Sequence, residues 1–314
     1  MTVTAGGLID LTGDRRRLRR ERRVRTGFWI AGLSSLAISI AIVLSLLGNS
    51  IEFLNNTPLD KLWTADKWAP RVGKFDIATL FMGSLLVTGV AMLIAAPLGL
   101  GAAIYLAEYA KPRVRQIAKP ILEVMAGIPS IVIGFFAIAW IGPNIVQNLF
   151  ANADAFSLAA AGIGVGLLVT PIVASVSEDA MRAVPAALRE ASYGLGARRI
   201  TTVTKIVMPA AVSGIVAAMI LAASRAIGET MIVALAGGAF GEAAYTTKIT
   251  DVGLTITSAM ASLATGTDQV AGGGGSGAGQ AFNSLFFLGL LLFGVTMLLN
   301  LVGDFFVGRI REKY

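Results

Sequence analysis

The chain has 314 residues, of which 55% are apolar or aromatic and only 14% charged, with a mean hydropathy of +0.74. Counting glycine in and tyrosine out puts the apolar share at roughly 65%, against about 45–50% in soluble domains, so too few ionisable groups remain to cover a water-facing globule. The absence of both Cys and His excludes disulfides, thiol catalysis, zinc fingers, His-ligated haem and Ser-His-Asp triads.

The first 25 residues form a basic arm, with eight arginines between Arg15 and Arg25. The apolar run that follows, 26–51, is too long for the h-region of a signal peptide, and no A-x-A-like cleavage site precedes Asn49. A retained first transmembrane helix is therefore predicted. Residues 52–76 carry Trp63, Trp68 and Pro70, a composition that predicts an outer segment lying along the membrane interface.

Residues 77–308 form the predicted core. Uncharged intervals run from Ile77 to Ala107, from Val124 to Ala153 and from Ala155 to Ser177, each long enough to cross about 30 Å of hydrocarbon. The next apolar run, Pro209 to Gly238, is interrupted only by Arg225 and Glu229. An outer loop, 240–280, follows, and its nearly all-glycine stretch from Ala271 to Gly279 predicts flexibility. A last span begins near Leu285 and leads to the 309–314 tail. The fold class predicted is an all-α polytopic membrane protein with six transmembrane helices.

The basic residues orient it. Twenty of the 26 Lys and Arg fall in the arm, the 108–122 loop, the 178–208 loop and the tail. Five lie in the alternate segments, and Arg225 sits within a span. The asymmetry predicts both termini in the cytoplasm. The net charge of +7 is thus accounted for by topology next to membrane lipid, with no nucleic-acid partner.

Gly162, Gly164 and Gly166 spell a loose GxGxG inside a span with no strand before it, which favours close helix packing over nucleotide binding. Pro97, Pro129 and Pro171 are expected within spans, where neighbours can satisfy the freed carbonyls. The sequence Gly-Ser-Gly-Ala-Gly-Gln ending at Gln280 superficially resembles the signature of ATP-binding cassettes. No GxxxxGK[ST] loop accompanies it to hold phosphates.

Two features carry chemistry. The first runs from Val184 to Gly196. Pro185 suits a first helical turn, Val184, Leu188, Ala191 and Leu195 recur at helical spacing, and Gly194 and Gly196 end the run. A short amphipathic helix and a sharp turn are predicted. On periodicity alone, such a helix could rest on its own protein or on the membrane surface.

The second is Arg225 and Glu229, spaced i, i+4 on one face of an apolar helix. An Arg at bilayer depth costs about 2.5–3.5 kcal/mol on insertion scales, so the pair should face each other, a partner subunit or a watery path. If the helix runs on to Gly237, Arg225 lies about 18 Å from that exit at 1.5 Å per residue. One reading is a structural ion pair that fixes packing. The other is an oxyanion receiver, with the guanidinium fork matched to phosphate or carboxylate and Ser224 and Thr230 adding hydroxyls.

The spacing Glu190-Ala191-Ser192, three residues, Gly196, nine residues, Ile206-Val207-Met208-Pro209 closely resembles the EAA loop of ABC-importer permeases. Ser192 and Met208 depart conservatively from that pattern. The segment Ser224-Arg-Ala-Ile-Gly-Glu-Thr-Met231 is similar to one in phosphate-specific ABC permeases. The stretches Ala96 to Tyr109 and Ala126 to Phe136 resemble the PstC type, although the PstA type shares much of this wording.

The resemblance covers roughly residues 70–305. It implies a type I importer permease fold and makes the 185–196 helix a coupling helix docked into an ATPase subunit. Arg182, Arg189, Glu190, Ala191, Ser192 and Gly196 then belong to that contact, and Ser224, Arg225, Glu229 and Thr230 to the substrate pathway. The implied partners are a PstA-type second permease, a PstB-type ATPase dimer and an extracytoplasmic PstS-type phosphate-binding protein. No cofactor and no catalysis by this chain are expected. Three alternatives stay open: a permease for another oxyanion such as sulfate, molybdate or phosphonate, a secondary transporter using Glu229 as a proton site, and a membrane scaffold.

Overall fold

The computed structural model describes residues 15–150, 153–266 and 278–310. Most of the Gly-rich stretch, the arm before Arg15 and the tail after Ile310 lie outside these described residues. Among them, five helices are long and apolar enough to cross a membrane, and a bent pair supplies a sixth candidate span. The chain is therefore a mostly helical, multi-pass membrane protein.

Helix α1, Arg15–Asn56, is continuous for 42 residues, about 63 Å at 1.5 Å per residue. Its part up to Gly48 belongs to a unit of its own. Phe28, Trp29, Ile30 and Leu33 are all exposed there, as suits a lipid-facing rod. Residues 49–314 form the second unit.

In that unit α2, Ile77–Tyr109, packs most extensively against α5, Leu158–Arg182. The approach is close because the facing residues are small. A Cβ on Gly162 would sit 2.6 Å from the Val90 Cβ, and one on Gly99 would sit 2.6 Å from the Val173 Cβ. Gly162 and Gly166 face α2, whereas Gly164 faces Ala137 and Ile232. The GxGxG is a packing surface, as small residues in membrane helices commonly are. Around it a core of Ala91, Ala95, Ala160, Val165, Ile141 and Ile232 is fully closed.

The third span differs from its expected start at Val124. Helix α3, Pro112–Ala126, comes first, and α4 occupies Ser130–Leu149. The break falls at Gly127-Ile128-Pro129, where the pre-proline residue disfavours helix, so Pro129 caps α4 instead of kinking it. Pro97 and Pro171 do lie inside helices. The 108–122 segment, expected as a loop, is mostly this amphipathic α3, with Pro112 in its first turn.

After the short α6, Ala186–Gly194, come α7, Arg199–Ala210, and α8, Val212–Ile227, joined at a bend of 70°. The expected continuous run to Gly238 breaks again at Gly228 to Thr230, before α9, Met231–Ala236. The last helices are α10, Ile256–Thr265, and α11, Ala278–Ile310.

The segment 52–76 contributes two strands to a small sheet. Strand β1, Lys67–Ala69, pairs antiparallel with β2, Lys74–Phe75, and on its other edge with β3, Ala243–Ala244. Trp68 is buried, in contrast to the interfacial position expected, and stands edge-on to Phe75, while Trp63 stays exposed. Asp76 anchors the corner, its carboxylate accepting from the Thr64, Ala65 and Thr79 backbone amides. Part of the 240–280 loop is also ordered: Thr255 caps α10 in a reciprocal box with Ser258.

Candidate functional site

Two places carry the candidate residues. The first is the turn between α5 and α7. Pro185 caps α6 with extended backbone, and Gly196 closes its far end at φ +76°, a left-handed conformation that glycine adopts without the penalty of a Cβ. Leu195, Gly196 and Ala197 donate back to the carbonyls of Ala191, Tyr193 and Ser192, satisfying acceptors the helix end leaves free.

Arg189 reaches inward. Its Nε and Nη2 donate to Glu108 Oε1 at 3.1 and 3.0 Å, its Nη1 to the Val184 carbonyl at 2.6 Å and its Nη2 also to the Met181 carbonyl at 2.7 Å. Ser192 is buried as well, its hydroxyl 2.8 Å from that of Thr202. Glu190, Ala191 and Gly196 stand on the open side with Leu195, which is 89% exposed.

The inward face is thus Val184, Leu188 and Ser192, and not Val184, Leu188, Ala191 and Leu195. Leu188 and Ser192 are one helical turn apart, whereas Leu195 lies past the end of α6 and no longer follows its period. The six residues expected at one contact fall in three places. Arg189 and Ser192 hold the helix from within, and Glu190, Ala191 and Gly196 are presented outward. Arg182 lies off the helix, in the last turn of α5, 3.8 Å from Glu178.

A second acidic anchor stands beside it. Glu178 is fully buried at the end of α5 and is met by Arg115 Nε at 2.7 Å and Lys119 Nζ at 3.0 Å, both from α3. Lys119 also bonds Asp179. These carboxylates, Asp179 foremost, push the Lys119 ammonium above its ordinary range. Glu108 and Glu178 were not among the residues singled out from sequence. The available signal was an acid placed at the last turn of an apolar run.

The second place is the break after α8. Arg225 is in the last turn of α8, and its Nη1 donates to Glu229 Oε2 at 2.7 Å. The side chain of Glu229 is 3% exposed and that of Arg225 46%. The helix ends between them: the Gly228 and Glu229 amides donate to Ser224 and Ala226 carbonyls in tight turns. The Glu229 carbonyl accepts from the Thr257 hydroxyl at 2.7 Å, so the 255–258 cap fixes the backbone at the break.

The i, i+4 contact therefore forms at a helix end and not in mid-helix as expected. Ser224 turns to another helix and donates to Asn300 at 3.1 Å, and the Thr230 hydroxyl donates to the Gly228 carbonyl at 3.4 Å. The structure joins Arg225 to Glu229 and gives Ser224 and Thr230 other partners. What the pair offers is a cation whose fork is held at one edge by a buried carboxylate and reachable on the rest.

A multi-pass helical bundle with a short exposed helix at its basic end and a charged pair at a broken span has the architecture of a transport permease. Residues 95–314 match the family of binding-protein-dependent transport system inner membrane components, and the chain belongs to that family. Its members are permease components of ABC transporters, placed as multi-pass proteins in the inner membrane.

The chain is 34% identical over 204 residues to the probable ABC transporter permease protein YqgH of Bacillus subtilis, a match spanning 64% of this chain and 66% of that protein. It is 29% identical over 322 residues to the phosphate transport system permease protein PstC 1 of Mycobacterium tuberculosis, covering 90% and 92%. It is also 40% identical over 149 residues to PstA 1 of the same organism, covering 47% and 46%. In fold it matches a chain of the bacterial alginate ABC transporter crystallised with an alginate-bound periplasmic protein, with a TM-score of 0.61 at 14% identity over 95% of this chain and 98% of that one.

Proposed function

We propose that this chain is the PstC-type permease subunit of an ATP-driven importer of inorganic phosphate. The observation that carries the reading is the Arg225–Glu229 pair at the α8 break, in a chain similar over nine-tenths of its length to a phosphate permease. A guanidinium suits a tetrahedral oxyanion because its fork donates two parallel hydrogen bonds. Glu229 holds that fork in one orientation and, being negative, keeps the anion from binding too tightly to leave. Broken spans are where transporters expose such groups near the bilayer midplane.

The chain works with both termini in the cytoplasm, opposite a PstA-type second permease, and half of the pathway lies in each. A PstB-type ATPase dimer grips the outward face of α6, Glu190, Ala191 and Gly196, and a PstS-type binding protein delivers phosphate to the far side. ATP is hydrolysed in the separate subunit, and this chain breaks no bond.

The test is labelled phosphate uptake into proteoliposomes holding the co-purified complex, with sulfate as competitor. Phosphate uptake unaffected by excess sulfate and lost in Arg225→Ala supports the reading. Equal competition by sulfate makes the protein a permease for another oxyanion, and normal uptake by Arg225→Ala removes the pair from the pathway.

A further inference from the structure

We propose that Glu108 and Arg189 are positioning residues that form the rigid joint through which α6 moves α2. The inference rests on reading α6 as the helix gripped by the ATPase. A docking helix transmits force only as far as it is fastened to something that spans the membrane. Covalently, α6 hangs on the chain between α5 and α7, through Pro185 at one end and Gly196 at the other, and both of its connections are turns that could flex.

The Arg189 guanidinium removes that freedom. Its four hydrogen bonds reach three elements: the carbonyl of Met181 in the last turn of α5, the carbonyl of Val184 in the turn after it, and the carboxylate of Glu108 in α2. The two charged residues are 81 positions apart in sequence. The Glu108 side chain is 4% exposed and that of Arg189 19%, so the bond is shielded from water and from salt. A planar fork with fixed donors sets the angle as well as the distance of the contact.

The α2 end of the joint has its own local cause. Glu108 sits in a π turn, Tyr105–Tyr109, that interrupts the α-helix just before it ends. The wider turn rotates the last residues of α2 relative to an ideal helix, and Glu108 is buried by it toward α5 and α6. Next to it, the Arg199 guanidinium lies 5.0 Å over the Tyr109 ring, a second tie between α2 and the chain that follows α6. Of the two buried glutamates at this end of the bundle, Glu178 clamps α3 to α5, whereas Glu108 alone reaches the helix that carries Glu190 and Ala191.

The experiment compares the complete complex carrying Glu108→Gln, Glu108→Asp or Arg189→Lys with the unaltered one in proteoliposomes. It measures phosphate moved per ATP hydrolysed together with the amount of ATPase subunit retained on purification. Transport by the unaltered complex that needs ATP establishes the underlying reading; without it that reading fails before the joint is tested.

The expected result is ATPase subunit retained at the unaltered level, ATP hydrolysis within about twofold, and phosphate per ATP lowered at least tenfold in Glu108→Gln. Glu108→Asp, which retracts the carboxylate by one methylene, and Arg189→Lys, which keeps the charge without the fork, fall between. An unchanged ratio in any assembled Glu108→Gln or Glu108→Asp complex overturns the proposal. Loss of assembly in all three variants also overturns it, since the pair then serves folding alone.

Discussion

Arg225 and Glu229 hold a charge separation that lipid does not tolerate and that water weakens, and the geometry resolves this by burying the acid and leaving the base reachable. Arg225→Ala is expected to abolish phosphate uptake while the complex still co-purifies; Arg225→Lys should retain partial uptake at best, since an ammonium lacks the planar fork. Uptake rates of the three proteins in the same vesicles check this order.

A packing residue gives a different signature. At Gly162 an added Cβ meets the Val90 Cβ at 2.6 Å, and Gly162→Val overfills the α2–α5 contact at a cost of about 1–3 kcal/mol. Lowered thermal stability of the detergent-purified protein is the expected outcome, and an unchanged melting temperature contradicts the packing described.

The outward side of α6 carries Glu190 beside the small Ala191, so Glu190→Lys reverses a charge on the face proposed to meet the ATPase without touching the inward bonds of Arg189 and Ser192. ATP hydrolysis that continues without phosphate movement is the expected result. Preserved coupling shows that this face is not gripped.

The α3–α5 clamp behaves differently. With the Lys119 ammonium held above its usual 10.5 by Asp179 and Glu178, the stabilisation from its charge is full below that value and is lost only as pH rises through the higher folded value. Protection of α3 backbone amides against hydrogen exchange, corrected for intrinsic rate, is therefore expected to show no lysine-linked loss across the neutral range. A lysine-linked loss of protection near neutral pH contradicts the direction of this shift.

Elements also show where sequence reading succeeded. The bounds of α6, expected from Val184 to Gly196, fall at Ala186 and Gly194 because Pro and Gly act locally on the backbone. The inward face of α6 is Leu188 and Ser192, one helical turn apart, which leaves Ala191 on the open side, while Leu195 lies beyond the helix. Helix α3 was legible in principle, since Val114, Ile117, Ile121 and Val124 recur at helical spacing behind Pro112. Its charges made it read as a loop. The break at Gly228 was hidden inside an apolar run, where neither composition nor length changes.

For the whole molecule, five of the six expected spans correspond to helices long and apolar enough to cross a membrane among the described residues, because lipid thickness imposes one length on every crossing. The pairing of β1 with β3 was not legible in the sequence, since Lys67 and Ala244 meet across a long stretch of intervening helical chain. The same holds for Glu108 and Arg189, whose contact depends on α2 and α5 packing side by side. The Glu108–Arg189 contact joins α2 to α6 at the basic end.

On the proposed function, this bundle moves phosphate only when driven by a separate ATP-hydrolysing subunit. The most direct measurement is labelled phosphate entering proteoliposomes that contain the complete complex, with ATP, with a non-hydrolysable analogue, and with the ATPase subunit left out. Uptake in the first condition and none in the other two is the predicted result. Phosphate accumulation by the permease without the ATPase subunit rules out an ATP-driven importer.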